Sequence, residues 1–185
     1  YHRLAYGQKS KVFMQKWRAT TEEMRVERDC DGLIESGDQE LYRAVTVDAP
    51  PDRVFRWLCQ LRAGPYSYDW IDNWGRKSPR ELSPGLEELA VGQRFMRIFE
   101  LALFEPGRQL TLNMTDPKAR RLFGDVAVTY ATEPAAGNRT RLVAKLVVRY
   151  PRTLRGRVMR RFLPWGDLIM MRKQLLSLVE LSKLG

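Results

Sequence analysis

Val45-Thr-Val-Asp-Ala-Pro-Pro-Asp-Arg-Val-Phe-Arg-Trp-Leu58 reads as a strand that stops at a proline pair and restarts at once as a helix. Val45 and Val47 alternate with Thr46 and Asp48, the period of a half-buried strand. Pro50 and Pro51 cannot continue a ladder, whereas Pro51 suits the first turn of a helix. Val54, Phe55, Leu58 and Leu61 then share one apolar helical face.

Tyr66-Ser-Tyr-Asp-Trp-Ile-Asp-Asn-Trp74 follows, then Leu89-Ala-Val-Gly-Gln93, a series of strands and a helical C-terminus. In this order the chain resembles the START-like, polyketide-cyclase (SRPBCC) superfamily, and most of all a bacterial branch of it. That branch carries strand, Ala-Pro, helix, Tyr-Ser-Tyr-Asp-Trp and then Val-Gly-Asp. The resemblance runs from about Leu41 to Gly185, with a weaker echo in Trp17-Arg-Ala-Thr-Thr-Glu-Glu23 and Ser36-Gly-Asp38. Ser36 stands where the family usually has proline, and Gln93 where an aspartate follows Val-Gly. The resemblance implies an α+β helix-grip fold: a curved antiparallel β-sheet wrapped around a long C-terminal α-helix, with two short helices after the first strand and a cavity inside. It names no ligand.

The 185 residues suit one domain with a sizeable core. We expect residues 1–40 to form an N-terminal extension packed on the domain, and residues 41–185 to form the helix-grip domain. Hydrophobic content of 44% with 29% charged residues describes a globular chain rather than a disordered one. No apolar run approaches the roughly 18 residues of a membrane span, so the expected location is the cytoplasm, with a peripheral place at a membrane left open. The chain opens at Tyr1, and a leader or anchor ahead of it also stays open. Cys30 and Cys59 have no metal-like spacing and read as free thiols, a single disulfide being the alternative.

Lys9 to Arg18 suits a short helix, and Asp29 to Asp38 is rich in turn residues. Asp69 to Gly75 suits a second short helix capped by Asp69. Arg94 to Glu105 reads as one long strand, returning through Pro106-Gly107 as Gln109 to Met114. Gly124 to Glu133 and Arg139 to Tyr150 form a hairpin. Leu142, Ala144, Leu146 and Val148 face a core, while Arg141, Lys145 and Arg149 face water. Leu168 to Leu184 is the closing helix, with Arg157 to Leu163 set apart from it by Pro164 and Gly166.

His2 is the only histidine, which removes Ser-His-Asp and Cys-His catalysis from the core. It also removes histidine-rich zinc sites, and no Gly-rich phosphate loop is present. No metal and no cofactor is expected. A hydrophobic small molecule in an internal cavity is the expected partner: a lipid, an isoprenoid or a polyketide-like compound, for binding, transport or sensing. The residues expected to line the cavity are Tyr68, Trp70, Arg97, Phe99, Leu101, Tyr130, Trp165 and Met171, with Trp74 in the same aromatic cluster. The alternative is a cyclase or dehydratase acting on a polyketide-like substrate, with Arg97, Tyr130, Asp69 and Glu100 as its candidate groups. A third reading is an adaptor that docks through a basic face.

The net charge is +10, and Arg149, Arg152, Arg155, Arg157, Arg160 and Arg161 crowd one acid-free stretch. That stretch is a solvated face, a site for anionic lipid head groups through Arg155, Arg157, Arg160 and Arg161, or a nucleic-acid contact. Nucleic acid is disfavoured because no nucleic-acid motif accompanies it. Oligomeric state is not fixed by the sequence.

Overall fold

In a computed structural model that describes residues 15–68 and 77–184, the proline pair turns strand into helix between Val47 and Pro51. Strand β1 is Lys16–Trp17, helix α1 Thr21–Arg25, helix α2 Asp29–Leu33, strand β2 Gln39–Val47 and helix α3 Pro51–Cys59. A 3-10 turn over Gln60–Arg62 prolongs α3. Then come β3 (Arg94–Phe95), β4 (Phe99–Glu105), β5 (Gln109–Met114), α4 (Pro117–Phe123), β6 (Asp125–Ala135), β7 (Arg139–Arg149) and α5 (Leu154–Leu184).

The strands form one seven-stranded sheet in the order β1-β2-β7-β6-β5-β4-β3. Every pairing is antiparallel except β1 with β2, which is parallel. Because side chains alternate along a strand, register fixes what faces α5. Leu41 and Val45 of β2, Leu142, Ala144 and Leu146 of β7, Val126, Val128 and Tyr130 of β6, and Leu110 and Leu112 of β5 all face it. Met171, Leu175, Leu178 and Leu181 of α5 and Val54, Phe55 and Leu58 of α3 close that core.

Four expectations are corrected. Arg94 to Glu105 is not one strand. Met96 and Arg97 take left-handed backbone, with φ of 43° and 67°, and turn β3 back onto β4. Arg157 to Leu163 is not a separate piece, because α5 runs unbroken through Pro164. Pro164 removes one backbone donor and lies buried on the inner side of the continuous helix. Within the stretch expected to be helical up to Arg18, Lys16 and Trp17 are a strand beside Tyr42 and Arg43. Asp69 to Gly75 lies outside the described residues.

The fourth correction concerns the outer face of the sheet, which is covered over Arg141 and Lys145, while Arg149 at its end stays exposed as expected. Ala19 and Met24 pack on Tyr42, Ala44 and Val143, and Cys30, Leu33 and Ile34 pack on Ala127 and Val147. The Cys30 amide donates to Thr129 Oγ1 at 3.0 Å. Lys145 meets Asp31 at 2.6 Å and is only 5% exposed, while Arg141 meets Glu23 and Arg28 meets Glu133, each at 2.6 Å. The strand cations that suggested a wet face are instead neutralised by acids of residues 19–34 and the outer sheet. Both cysteines are free and buried. Helix α4, unmarked in the sequence reading, starts where Asp116 accepts the Ala119 amide at 2.8 Å and Pro117 opens the first turn.

Candidate ligand site between the sheet and the long helix

Strand β2 runs Leu41, Arg43, Val45, Val47 along the face that meets α5, so a guanidinium enters an apolar layer. Arg43 stands opposite Ala144, Ala144 opposite Tyr130, and Tyr130 opposite Leu110. The small Ala144 keeps the row low between the arginine and the phenol. Above it α5 supplies Asp167, Met171 and Gln174, spaced to lie on one helical side.

Arg43 Nη2 lies 2.7 Å from Asp167 Oδ2, and the two side chains are 0% and 9% exposed. Arg43 Nη1 donates to the Gln15 and Tyr42 carbonyls at 3.0 and 2.8 Å. Among the described residues, Arg43 Nε makes no hydrogen bond, and the Nη2–Oδ2 contact lies off the hydrogen-bond line. Tyr130 Oη donates to Gln174 Oε1 at 2.7 Å and stands 3.7 Å from Met171 Sδ. Gln174 Nε2 donates to the Pro65 carbonyl at 2.7 Å. The glutamine therefore ties helix, sheet and the chain after α3 at one buried point.

Burial pushes the Asp167 carboxyl up to about 6, and attraction to Arg43 opposes only part of that rise. Burial also disfavours the Arg43 charge, which Asp167 partly restores. The Tyr130 phenol is pushed up by burial and by the nearby Asp167 charge, so it is a fixed hydrogen-bond donor. An unfolded aspartate titrates near ~3.9. Folded Asp167 thus holds its proton more tightly, and its contribution to stability, full below about pH 4, is lost as pH rises through about 6. Asparagine cannot titrate. The stability of wild type minus that of Asp167→Asn should therefore fall by about 2–3 kcal/mol between about pH 4 and about pH 7, read by urea unfolding. A flat difference across that window would place Asp167 outside this account.

Of the sequence candidates, Phe99, Leu101, Tyr130 and Met171 all lie in the one core that includes this row. Tyr68 is half-buried, and Trp70, Asp69 and Trp74 lie outside the described residues. Arg97 does not face inward. It is exposed in the β3–β4 turn, because a left-handed residue leaves the alternation of the strand. Glu100 pairs with Asn113, which pairs with Ala127 of the outer face, so it points away from Tyr130. Trp165 is 46% exposed on the far side of α5 from the core. Arg155, Arg157, Arg160 and Arg161 are exposed, Arg160 lying 3.7 Å from Asp38. Arg43, Asp167 and Gln174 were missed by the sequence reading. Arg43 left a signal, a charge at the inward parity of a strand that runs from Leu41 to Val47 otherwise in leucine and valine.

A cleft of about 630 Å³ opens at the surface between Glu35, Asp38, Arg120, Asp125, Arg149 and Tyr150. Within it Asp125 bridges Arg120 and Arg149 at 2.5 and 2.6 Å.

A sheet closed over one face by a 31-residue helix, with α3 joined directly to the first long strand, matches solved structures. A crystal structure of a hypothetical protein from Helicobacter pylori superposes with a TM-score of 0.55 at 12% identity, covering 90% of this chain and 99% of that one. The Zhui aromatase/cyclase from Streptomyces sp. R1128 gives 0.50 at 18% identity, covering 78% and 93%. A protein from Thermus thermophilus gives 0.50 at 18% identity, covering 78% and 97%. This chain has the helix-grip fold. No family model matches the sequence, and no curated protein is significantly similar to it. At such identities the likeness speaks for the fold alone. In the helix-grip arrangement the inner sheet face and the inner side of α5 are also the walls of the grip, which is where Arg43, Tyr130, Asp167 and Gln174 stand. Among the described residues no helix is long and apolar enough to cross a membrane, and no cluster of potential metal ligands occurs.

Proposed function

We propose that this helix-grip protein binds a hydrophobic small molecule with a polar group, held between the sheet and α5 beside Arg43, Ala144 and Tyr130. The observation that carries this reading is a polar set sunk in an otherwise apolar layer, with Arg43 Nε lacking a hydrogen-bond partner among the described residues. Buried polar groups are normally satisfied, and a donor left over in a ligand-binding fold favours an acceptor on the ligand. The aromatase/cyclase among the structural neighbours supports an aromatic or polyketide-like occupant.

A second reading is acid–base catalysis of the cyclase or dehydratase type. It is favoured by one arrangement: burial pushes the Asp167 carboxyl up to about 6 in the same buried layer that holds the Tyr130 phenol as a donor. A carboxyl near neutrality is suited to hand a proton back and forth.

Native mass spectrometry of the purified chain should detect a co-purified small molecule, and an apolar fluorophore such as N-phenyl-1-naphthylamine should compete with it. Ala144→Leu raises the floor of the row and should weaken probe uptake by about ten-fold, at a packing cost of about 1–3 kcal/mol. A folded Ala144→Leu protein that takes up the probe as well as wild type would move the site elsewhere. Turnover of a poly-β-ketone mimic that Asp167→Asn abolishes would select the catalytic reading.

A further inference from the structure

Leu154, Val158, Phe162, Trp165 and Ile169 recur every three or four residues along the first half of α5. That spacing sets them in one row on a helix. All five are exposed, from 46% for Trp165 to 76% for Leu154. The other side of the same helix buries Pro164, Leu168 and Met171. At 1.5 Å per residue the row is roughly 22 Å long. Scattered exposed apolar residues need no explanation, but a continuous row marks a contact surface.

The charge around the row has one sign. Helical geometry sets Arg155 and Lys173 along one flank and Arg157 and Arg161 along the other, all exposed. Between Tyr150 and Val179 the only acid is Asp167, and it is turned inward against Arg43.

We propose that this face of α5 docks on an anionic lipid surface. The helix lies in the plane of the interface, with Phe162 and Trp165 entering the acyl boundary and Arg155, Arg157 and Arg161 meeting head-group phosphates. Charge complementarity selects this occupant. A second copy would bring its own arginines against these, with a net charge of +10 on each chain. A nucleic-acid backbone would satisfy the arginines but offers no apolar layer for Leu154, Val158 and Ile169. The proposal does not depend on the ligand reading, since its row and the grip lie on opposite sides of one helix.

The test is co-sedimentation of the full chain with phosphatidylcholine vesicles, with vesicles that also contain phosphatidylglycerol, and with a DNA duplex, in one low-salt buffer and again at physiological salt. Binding to the phosphatidylglycerol vesicles above both others, weakening with salt, is the expected result. Replacing Arg155, Arg157 and Arg161 together by Gln should weaken it roughly a hundred-fold, about five-fold for each cation near the surface. Phe162→Ser with Trp165→Ser should weaken it about ten-fold or more and leave circular dichroism and apolar-probe uptake unchanged. Absence of binding to anionic vesicles at low salt overturns the proposal. So does DNA binding of equal strength that the serine variant leaves intact, and so does a dimer that the serine variant dissolves.

Discussion

Replacing Arg43 by methionine should lower the stability of the fold by about 3–5 kcal/mol at neutral pH, because it leaves the Asp167 carboxylate buried without its cation. The two side chains are 0% and 9% exposed, so water cannot take the place of the lost partner. The loss should shrink near pH 5, where a protonated Asp167 needs no cation. Replacing both partners, Arg43→Met with Asp167→Leu, should recover most of the loss or exceed wild type, since an apolar pair of similar volume avoids desolvating two charges. Urea unfolding of the four proteins closes the cycle. A double variant as weak as the single one would mean that the arginine acts through its bonds to the Gln15 and Tyr42 carbonyls rather than through Asp167. If the double variant is stable yet takes up no ligand, the ion pair is kept for recognition at the expense of stability.

Gly124→Ala should lower the stability of the fold by about 3 kcal/mol or more. Gly124 closes α4 at a φ of 90°, where its amide donates to the Arg120 carbonyl, and passes at once into β6. An added Cβ would fall 2.1 Å from the Arg149 carbonyl oxygen. Both groups belong to the backbone, so no side chain can swing aside. Gly107, also left-handed at a φ of 75°, has open space around it, and Gly107→Ala should cost only about 1–2 kcal/mol. The gap between the two urea midpoints measures the collision together with the extra strain of the Gly124 backbone, whose ψ of −161° lies where only glycine rests easily. Equal losses would mean that the start of β6 relaxes to accept the methyl.

Periodicity was a good guide wherever one face of an element meets the core. The β2–α3 junction, the β6–β7 hairpin and the inner side of α5 all follow from spacing alone. It failed where the backbone departs from its usual rules without a marker residue. Met96 and Arg97 form a left-handed turn with neither glycine nor asparagine, so a turn was invisible inside an apolar run. Pro164 reads as a break, yet the helix runs through it with the ring buried. Lys145 and Arg141 read as solvent-facing because the acids that neutralise them, Asp31 and Glu23, lie over a hundred residues away in sequence. The site was half legible. Tyr130 announces itself by its alternation with Val126 and Val128, but Gln174 and Asp167 are ordinary helix residues until the sheet beneath them is known.

The layer on the outside of the sheet has a consequence for how the protein is made. Cys30, Asp31 and Glu23 find their partners in Thr129, Lys145 and Arg141, at separations of 99, 114 and 118 residues. A ribosome adding about 5–20 residues per second releases α1 and α2 several seconds before β6 and β7 exist. Those two helices are five residues each, too short to persist alone. The segment synthesised early therefore settles late, once the hairpin it covers has paired. Until then the apolar outer positions Ala127, Val143 and Val147 stand open, and a nascent chain stalled at this stage is the form most in need of a chaperone.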